Sequence, residues 1–431
     1  MTHEFNNEVL DAILSNISIP KMCRVRQHFP DEHIKNVAVH TYESLKLSGL
    51  KEKIVPGMSI AITAGSRGID SMEIVLREVA TYLKDMGAKP FIFPSMGSHG
   101  GATAEGQRKL LARYGITEEF CGCPIRSCME ATSIGKTEDG VNVFIDRFAQ
   151  EADGVIAVNR IKPHVAFRGN YESGLVKMLT VGMGKQVGAD ALHKDGYENF
   201  SVRMSEYGKV VFDKMNILCG VAIVENAFDK ARNIKVVLGE DIMEREPELL
   251  KQAFENMPKI LLPETDVLVV NEFGKNFSGV GMDPNVTGRW PTPYASGGLE
   301  CQRIAVLRLS ELTGGNFVGL GLADMVTKEV YNSLSFAETY PNSMTTNTVS
   351  ACKIPMVVGT EYQTILAAIK TCIEIDHSKV RVIMIKNTLT LDEIFVSENL
   401  LDEVKDMRNM EIIDAPKPLS FDSEGRIESW F

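Results

Sequence analysis

Three of the eight histidines lie in or beside glycine-rich stretches, and these residues are the first to indicate chemistry. His99 stands in Gly-Ser-His-Gly-Gly directly after an apolar run, where small neighbours leave an imidazole uncovered. The alternative for His99 is a cap on the following helix. His164 follows Pro163, whose ring restricts the backbone and helps to fix the direction of the imidazole. Imidazoles titrate near neutral pH, so both residues are candidates for proton transfer.

Lys177 and Arg67 are the cationic candidates. Lys177 has apolar neighbours on a predicted helix, and it is either held in a pocket or extends its stem so that the ammonium reaches water. In a pocket its pKa falls and the amine becomes a usable nucleophile. Arg67 lies in the loop Gly65–Gly68 after an apolar run, which is either an ordinary turn or a place for bidentate binding of a carboxylate.

Familiar nucleotide-binding and hydrolase motifs are absent from the sequence. The stretch Gly182–Lys185 resembles part of a phosphate loop, but Gln186 stands where that motif needs a hydroxyl residue. There is no glycine-rich dinucleotide fingerprint, no nucleophile elbow and no HExxH pattern. The common dehydrogenases, hydrolases and metalloproteases are therefore disfavoured.

The elements that must position these residues alternate between apolar strands and amphipathic helices, which indicates an α/β fold with mostly parallel sheets. In such sheets, ligands bind at the carboxyl ends of the strands. The candidates Arg67, His99 and His164 each follow a predicted strand. Strands are predicted at 58–64, 89–94, 142–146, 153–159, 217–227, 234–239, 265–274, 303–309 and 316–323, and helices at 72–86, 105–114, 242–256 and 360–373.

Two prolines, Pro258 and Pro263, bracket a short connection that predicts a domain boundary near residue 260. We expect an N-terminal α/β domain over 1–260 and a C-terminal α/β domain over 261–410. The tail at 411–431, with one short strand near its start, is expected to pack back on the N-terminal domain.

Composition restricts the class of partner. The chain has 431 residues and a formal charge of −11, which disfavours binding to nucleic acid. No apolar run is long enough to span a bilayer and the N-terminus lacks a secretion signal, so we expect a cytoplasmic protein without a membrane partner. The eight scattered cysteines suit reduced thiols, and the cluster of Cys121, Cys123 and Cys128 lacks a second pair at zinc-site spacing.

Taken together, Ser66-Arg67-Gly68, Gly-Ser-His99-Gly-Gly, Lys162-Pro163-His164, Lys177 and His193 resemble the nickel-dependent lactate racemase family. Both the order and the spacing are similar, including the 16 residues from Lys177 to His193. The resemblance covers the N-terminal part well and extends more loosely over the rest. It implies two α/β domains with an active site in the cleft between them.

The resemblance also implies a cofactor and a role for each residue. The cofactor would be a nickel-pincer nucleotide, a pyridinium mononucleotide carrying thioamide and thiocarboxylate sulfurs, supplied by cofactor-synthesis proteins. Lys177 would be joined to it through the thioamide, Ser66 and Arg67 would contact it, and His193 would bind nickel. His99 and His164 would be the acid–base pair of a 2-hydroxy acid racemase that works by hydride transfer, with Arg67 orienting the substrate.

Several positions depart from the family pattern. Ala64 stands where these racemases carry an aspartate, so His99 must be oriented by another group. The segment between His164 and Lys177 is longer than expected and its extra residues are polar: Arg168, Asn170, Tyr171 and Glu172. Arg289 stands at the position of a substrate-contacting lysine, with Lys275 as the other candidate. These features predict a 2-hydroxy acid larger or more polar than lactate, such as a sugar acid or a dicarboxylate.

Two other classes stay open. The three histidines would be the ligands of zinc or iron in a hydrolase of small acids, although no acidic residue stands at a familiar ligand spacing beside them. A non-catalytic protein that binds the nickel cofactor would retain Lys177 and His193 but would not need two acid–base histidines. The oligomeric state does not follow from the sequence.

Overall fold

The computed structural model describes residues 7–194 and 196–429, which form two compact units. We call Asp31–Met257 the central unit, and Met1–Pro30 together with Pro258–Phe431 the composite unit. The strands are β1 (Met22–Gln27), β2 (Ser59–Ala64), β3 (Lys89–Pro94), β4 (Ala131–Lys136), β5 (Asn142–Asp146), β6 (Gly154–Arg160), β7 (Ile217–Glu225), β8 (Ala231–Leu238), β9 (Glu264–Phe273), β10 (Glu300–Leu309), β11 (Met325–Thr327), β12 (Met356–Val358), β13 (Val382–Ile385), β14 (Glu393–Ser397) and β15 (Met410–Ile412).

The α-helices differ widely in length, from one turn to four. They are α1 (Asn7–Leu14), α2 (Val37–Leu47), α3 (Met72–Asp85), α4 (Ala104–Arg113), α5 (Glu118–Cys121), α6 (Arg147–Gln150), α7 (Leu175–Lys177), α8 (Lys185–His193), α9 (Phe200–Lys214), α10 (Ile242–Asn256), α11 (Pro284–Thr287), α12 (Lys328–Asn332), α13 (Phe336–Thr346), α14 (Glu361–Lys370) and α15 (Leu401–Asp406). A π-helical turn at Met178–Gly182 connects α7 to α8.

The central unit is built on a five-stranded sheet in the order β3-β2-β6-β7-β8, in which only β8 runs antiparallel to its neighbour. Alternate residues of its strands pack into two separate cores, with Ala61 and Phe91 on one face and Ile60 and Ile62 on the other. Burial on both faces explains why these strands read as continuous apolar runs. Strands β4 and β5 form a separate antiparallel pair.

The composite unit contains an eight-stranded sheet in the order β12-β11-β10-β9-β13-β14-β1-β15. The strands from β12 to β13 are parallel, and β14, β1 and β15 continue the sheet in antiparallel register. Helices α1 and α14 cover one face, where Leu14 and Ile365 pack against Val267 and Val269 of β9. Both units are therefore α/β with mostly parallel pairing, and the fold class expected from the sequence is confirmed.

The division of the chain differs from the sequence-based domains at both ends. The units divide between Met257 and Pro258, close to the expected boundary, but residues up to Pro30 belong with the C-terminal part. The reason is that β1 pairs with β14 on one side and with β15 on the other. The same pairing holds the tail in the composite unit, whereas we expected it to pack back on the N-terminal domain. Strand pairings between segments that are distant in the chain leave no local sequence signal.

One predicted strand is wrong. The apolar run at 316–323 forms turns and a 3₁₀-helix at Leu320–Leu322. Gly319 has a φ of 97°, and a Cβ there would lie 1.8 Å from the carbonyl oxygen of Val280. The close approach needs glycine and bends the chain, while the apolar residues around it are buried as they would be in a strand. Among the described residues, none of the helices has both the length and the apolar character needed to cross a membrane.

Candidate active site

Three adjacent parallel strands of the central unit bring the first candidates to one edge of the sheet. Strand β2 leads into the loop of Ser66 and Arg67, β3 into the loop of His99, and β6 into the segment of His164. Because β3, β2 and β6 are neighbours and run in the same direction, their carboxyl ends lie side by side. The order of strands in the sheet therefore gathers residues that are far apart in the sequence.

The segment that carries Lys177 and His193 packs against the same loops. The Ser95 hydroxyl donates to the carbonyl oxygen of Met178 at 3.1 Å, and the Gly97 N–H donates to that of Gly182 at 3.3 Å. A Cβ on Gly97 would lie 3.6 Å from the Cβ of Ala189 in α8, which ends at His193. The His99 loop is thus fixed to the segment that begins at Lys177 and ends at His193.

Lys177 and Arg67 form a pair of like charges. Burial and the nearby Arg67 guanidinium lower the pKa of Lys177 to about 8, while Glu172 opposes the shift. Within the part of the chain that the structure describes, neither the Lys177 ammonium nor the Arg67 guanidinium has a hydrogen-bond or ion-pair partner. Two neighbouring cations without a directly bound carboxylate favour the binding of an anion between them.

His99 and His164 are held in opposite tautomers. The Nδ1 of His99 lies 2.7 Å from the carbonyl oxygen of Met96, which can only accept, so Nδ1 carries the proton and Nε2 is the basic nitrogen. The Nδ1 of His164 accepts from the Ala166 N–H at 3.1 Å, so a neutral ring carries its proton on Nε2. Burial holds the pKa of His164 well below its usual value, and the ring is therefore neutral at pH 7.

The contact with Met96 replaces the carboxylate that the sequence lacks at Ala64. A backbone carbonyl from the same loop fixes the tautomer of His99 without adding a charge. Gln107 also holds this loop in place, because its side-chain amide donates to the carbonyl oxygens of Gly97 at 2.9 Å and His99 at 3.2 Å.

His193 combines a fixed tautomer with an aromatic surrounding. Its Nδ1 lies 2.7 Å from the carbonyl oxygen of Ala189, so in the neutral ring the proton is on Nδ1 and the basic lone pair is on Nε2. Burial lowers the pKa of His193 to about 4, which keeps the ring neutral. The rings of Tyr197 and Phe200 contact His193, and those of Phe167 and Tyr197 contact His164, so one aromatic cluster joins both histidines.

The polar residues after His164 make hydrogen bonds and ion pairs with one another and with nearby parts of the central unit. The Glu172 carboxylate is buried and accepts from the N–H groups of His164 at 2.6 Å and Gly169 at 3.2 Å, and it pairs with Arg168 at 3.2 Å. Tyr171 donates to the carbonyl oxygen of Met243, and Arg168 lies over the ring of Phe254. Three of the four polar residues are thus engaged within the fold, which removes the argument that they line a polar substrate pocket. Asn170 is exposed.

A fully buried ion pair lies beneath the His99 loop. The Lys185 ammonium lies 3.0 Å from the Asp146 carboxylate and donates to the carbonyl oxygen of Pro94 at 2.6 Å and to Gln107 at 3.1 Å. Lys185 starts the helix that ends at His193, and Gln107 binds the His99 loop. The partial phosphate-loop motif that ends at Lys185 is therefore a structural connection between the two candidate histidines.

Glu246 supports the helix of Lys177 from α10. Its buried carboxyl accepts from the Val176 N–H at 2.8 Å, at the N-terminus of the short helix α7. Burial raises the pKa of Glu246 to about 7. The sequence contained a signal for this residue, because Glu246 falls among Ile242, Leu249 and Ala253 on the apolar face of α10. Gln107 gives the same signal on α4, where it shares the buried face with Leu111.

The raised pKa of Glu246 predicts a pH-dependent stability. The folded chain keeps the proton at pH values where the unfolded chain has lost it, so this stabilisation is complete below about pH 4.5 and is lost as the pH rises through about 7. The side chain introduced by Glu246→Gln stays uncharged. As the pH rises from about 4.5 to about 7, we therefore expect the free energy of unfolding of this variant to rise on the order of 2 kcal/mol relative to that of the native chain. Urea unfolding at both pH values measures the gain. Glu244→Gln, an exposed change on the same helix, is the control, and equal curves for both variants would contradict the prediction.

The two candidates of the composite unit differ in their contacts. Arg289 donates to both oxygens of Asp324, at 3.1 and 3.4 Å, and to the carbonyl oxygens of Cys301 and Gln302. Lys275 lies just after β9, with a partly exposed side chain and its N–H bonded to the Thr313 hydroxyl. The substrate contacts of both residues stay predictions, and the Arg289 guanidinium already has partners within its own unit.

The cysteine cluster has the properties of buried thiols. Cys121, Cys123 and Cys128 are all buried and none is in a disulfide. Burial raises the pKa of the thiols of Cys121 and Cys123 to about 12 and about 11. Among residues 7–194 and 196–429, no three His, Cys, Asp or Glu side chains are arranged to hold a metal ion.

Comparisons with known proteins place the fold. A family model described as a domain of unknown function, DUF362, matches residues 65–244, which include every candidate of the central unit. The fold is similar to that of the lactate racemase apoprotein from Thermoanaerobacterium thermosaccharolyticum, with a TM-score of 0.51 and 15% identity over 86% of this chain and 99% of that chain. No curated protein matches the chain. The chain therefore has a lactate racemase-like fold.

Proposed function

We propose that this chain is a racemase or epimerase that inverts C2 of a 2-hydroxy acid with the help of a nickel-pincer nucleotide. The observation that carries the proposal is the opposite tautomers of His99 and His164 at one edge of the sheet. Inversion needs one group that takes the hydroxyl proton and another that returns a proton after C2 has become planar. A basic Nε2 on His99 and a protonated Nε2 on His164 supply these two functions, and the proton that His99 takes is passed back to His164 before the next turnover.

The chain's own residues suit the cofactor. Lys177 offers a partly desolvated amine with a pKa of about 8, and His193 offers a neutral ring with a basic Nε2. A single protein ligand is sufficient where the cofactor brings carbon and sulfur donors for nickel. Lys177 would hold the cofactor covalently, Ser66 and Arg67 would contact it, and His193 would bind its metal. When bound, this group supplies a reversible acceptor for the hydride on C2.

Arg67 gives the substrate its orientation in this proposal. Its side chain is exposed at the strand end and lacks a partner among the described residues, so a substrate carboxylate can bind to it bidentately. The rings of Phe167, Tyr197 and Phe200 pack against one another and cover part of the rings of His164 and His193. Because the polar segment 168–172 is engaged within the fold, the panel of test substrates should include lactate beside sugar acids and dicarboxylates.

The experiment is an intact-mass and metal analysis of protein made in cells that also produce the cofactor. We expect a mass increment of nucleotide size and one nickel per chain, a loss of the increment in Lys177→Ala, and a loss of nickel in His193→Ala. Lys194→Ala, an exposed neighbour of His193, is the control and should keep both. A native chain without increment and without nickel would contradict the proposal and favour a hydrolase or another binding protein.

A further inference from the structure

The paired cations at the sheet edge have a consequence for the chain before any cofactor is attached. Lys177 lies in a one-turn helix whose preceding residues, Leu175 and Val176, are completely buried, while its own side chain is partly exposed. The ammonium can therefore be reached from solvent, although most of its surroundings are protein. The Arg67 loop packs against the same segment, because a Cβ on Gly65 would lie 3.0 Å from the Cε of Met178, and the Arg67 side chain is itself exposed.

The nearby acidic groups do not neutralise this pair. Glu172 acts electrostatically on Lys177, but its carboxylate is bound to two backbone N–H groups and to Arg168. Glu246 faces the backbone at the start of the same helix. A ligand that suits the site therefore brings a carboxylate for Arg67 and an electrophilic carbon for the amine of Lys177.

We propose that the chain without cofactor binds 2-oxo acids covalently, as an imine between the Lys177 amine and the C2 carbonyl, with the carboxylate on Arg67. The amine lone pair attacks C2 and the carbonyl electron pair moves to oxygen, which takes a proton. The carbinolamine then loses water as the C=N bond forms. No oxidant or reductant is needed, and hydrolysis reverses the step.

Several features of the site support this chemistry. An amine with a pKa of about 8 is unprotonated far more often at neutral pH than an ordinary lysine. Lys177 acts electrostatically on His164, whose ring carries a proton on Nε2. The departing hydroxyl group takes this proton as it leaves as water, and the carbinolamine nitrogen gives its own proton back to the ring. Arg67 adds selectivity, because a planar guanidinium binds a carboxylate through two parallel hydrogen bonds. The inference goes beyond the proposed function, since it concerns the amine and not the cofactor.

The test uses the full chain made in cells without the cofactor, treated with pyruvate and cyanoborohydride, which reduces an imine to a stable amine. Peptide mass analysis then compares the labelling of every lysine. We expect Lys177 to be labelled at least about tenfold faster than the other lysines. Lys185 is an internal control that should stay unlabelled, because it is fully buried in its ion pair. If Lys177 is labelled no faster than the exposed lysines, the proposal is overturned.

A second variant separates carboxylate binding from amine reactivity. Arg67→Met raises the pKa of Lys177 and should therefore slow labelling by both reagents, but the loss with pyruvate should exceed the loss with propanal, which has no carboxylate, by about tenfold. An equal loss with both reagents would show that Arg67 does not bind the carboxylate and would overturn that part. Failure of the imine proposal is distinguishable from failure of the proposed function. The proposed function is tested by the nickel content and the mass increment of protein from cofactor-producing cells, and neither measurement depends on imine formation.

Discussion

Replacing His99 or His164 by alanine is expected to lower turnover of the 2-hydroxy acid by roughly 10²–10⁴-fold, the usual effect of removing a proton-transfer group. Each ring is held in a defined tautomer at the sheet edge by a backbone contact to its Nδ1. Alanine removes both the ring and its Nε2 from this position. Cofactor content should not change, because neither histidine is expected to hold the nucleotide or its metal. Steady-state racemisation, with bound nickel measured on the same samples, tests both statements.

The opposite tautomers allow a sharper version of this experiment. In a single turnover His164→Ala should still form the 2-oxo acid from one enantiomer, because the basic Nε2 of His99 remains, whereas His99→Ala should form it from neither. His40→Ala is a matched control: His40 is exposed on α2, and its Nε2 lies 3.2 Å from the carbonyl oxygen of Ile234. Normal turnover in both variants, or formation of the 2-oxo acid by His99→Ala, would contradict the two-histidine mechanism.

Replacing Lys185 by methionine is expected to cost about 3–5 kcal/mol of unfolding free energy, because Asp146 would keep a buried charge without its cation. Both side chains of the pair have no exposed surface. The loss also frees Gln107 from one of its partners, so the loop of His99 loses part of its support. Urea unfolding of the cofactor-free chain measures the effect without any assumption about activity.

The control for this change is another lysine-to-methionine replacement in the same unit. Lys109 pairs with Glu105 at 3.5 Å on α4, and both side chains are about 70% exposed. Exposed pairs of this kind contribute little, so Lys109→Met should change stability by no more than about 0.5 kcal/mol. If Lys185→Met costs no more than Lys109→Met, the buried pair is not a stabilising connection.

Much of the central unit follows from local pattern. Strands β2, β3 and β6 are short, continuously apolar and followed by glycine-rich or proline-containing loops, and helices α3 and α10 show the three- and four-residue spacing of one buried face. The candidates Arg67, His99 and His164 were found because chemistry-bearing residues placed just after such strands are unusual. Lys177 and His193 were selected through their order and spacing, and their roles stay predictions.

By itself the sequence determined the α/β class and most strands and helices, and it selected the candidate residues, because these depend on period, composition and short spacing. Only the tertiary structure decided which strands are neighbours, that β1 and β15 complete the sheet of the composite unit, and which nitrogen of each histidine is basic. It also decided that Glu172 and Lys185 are structural, since burial and hydrogen-bond partners come from residues distant in the chain. Such contacts leave no local pattern, which is why they could not be predicted.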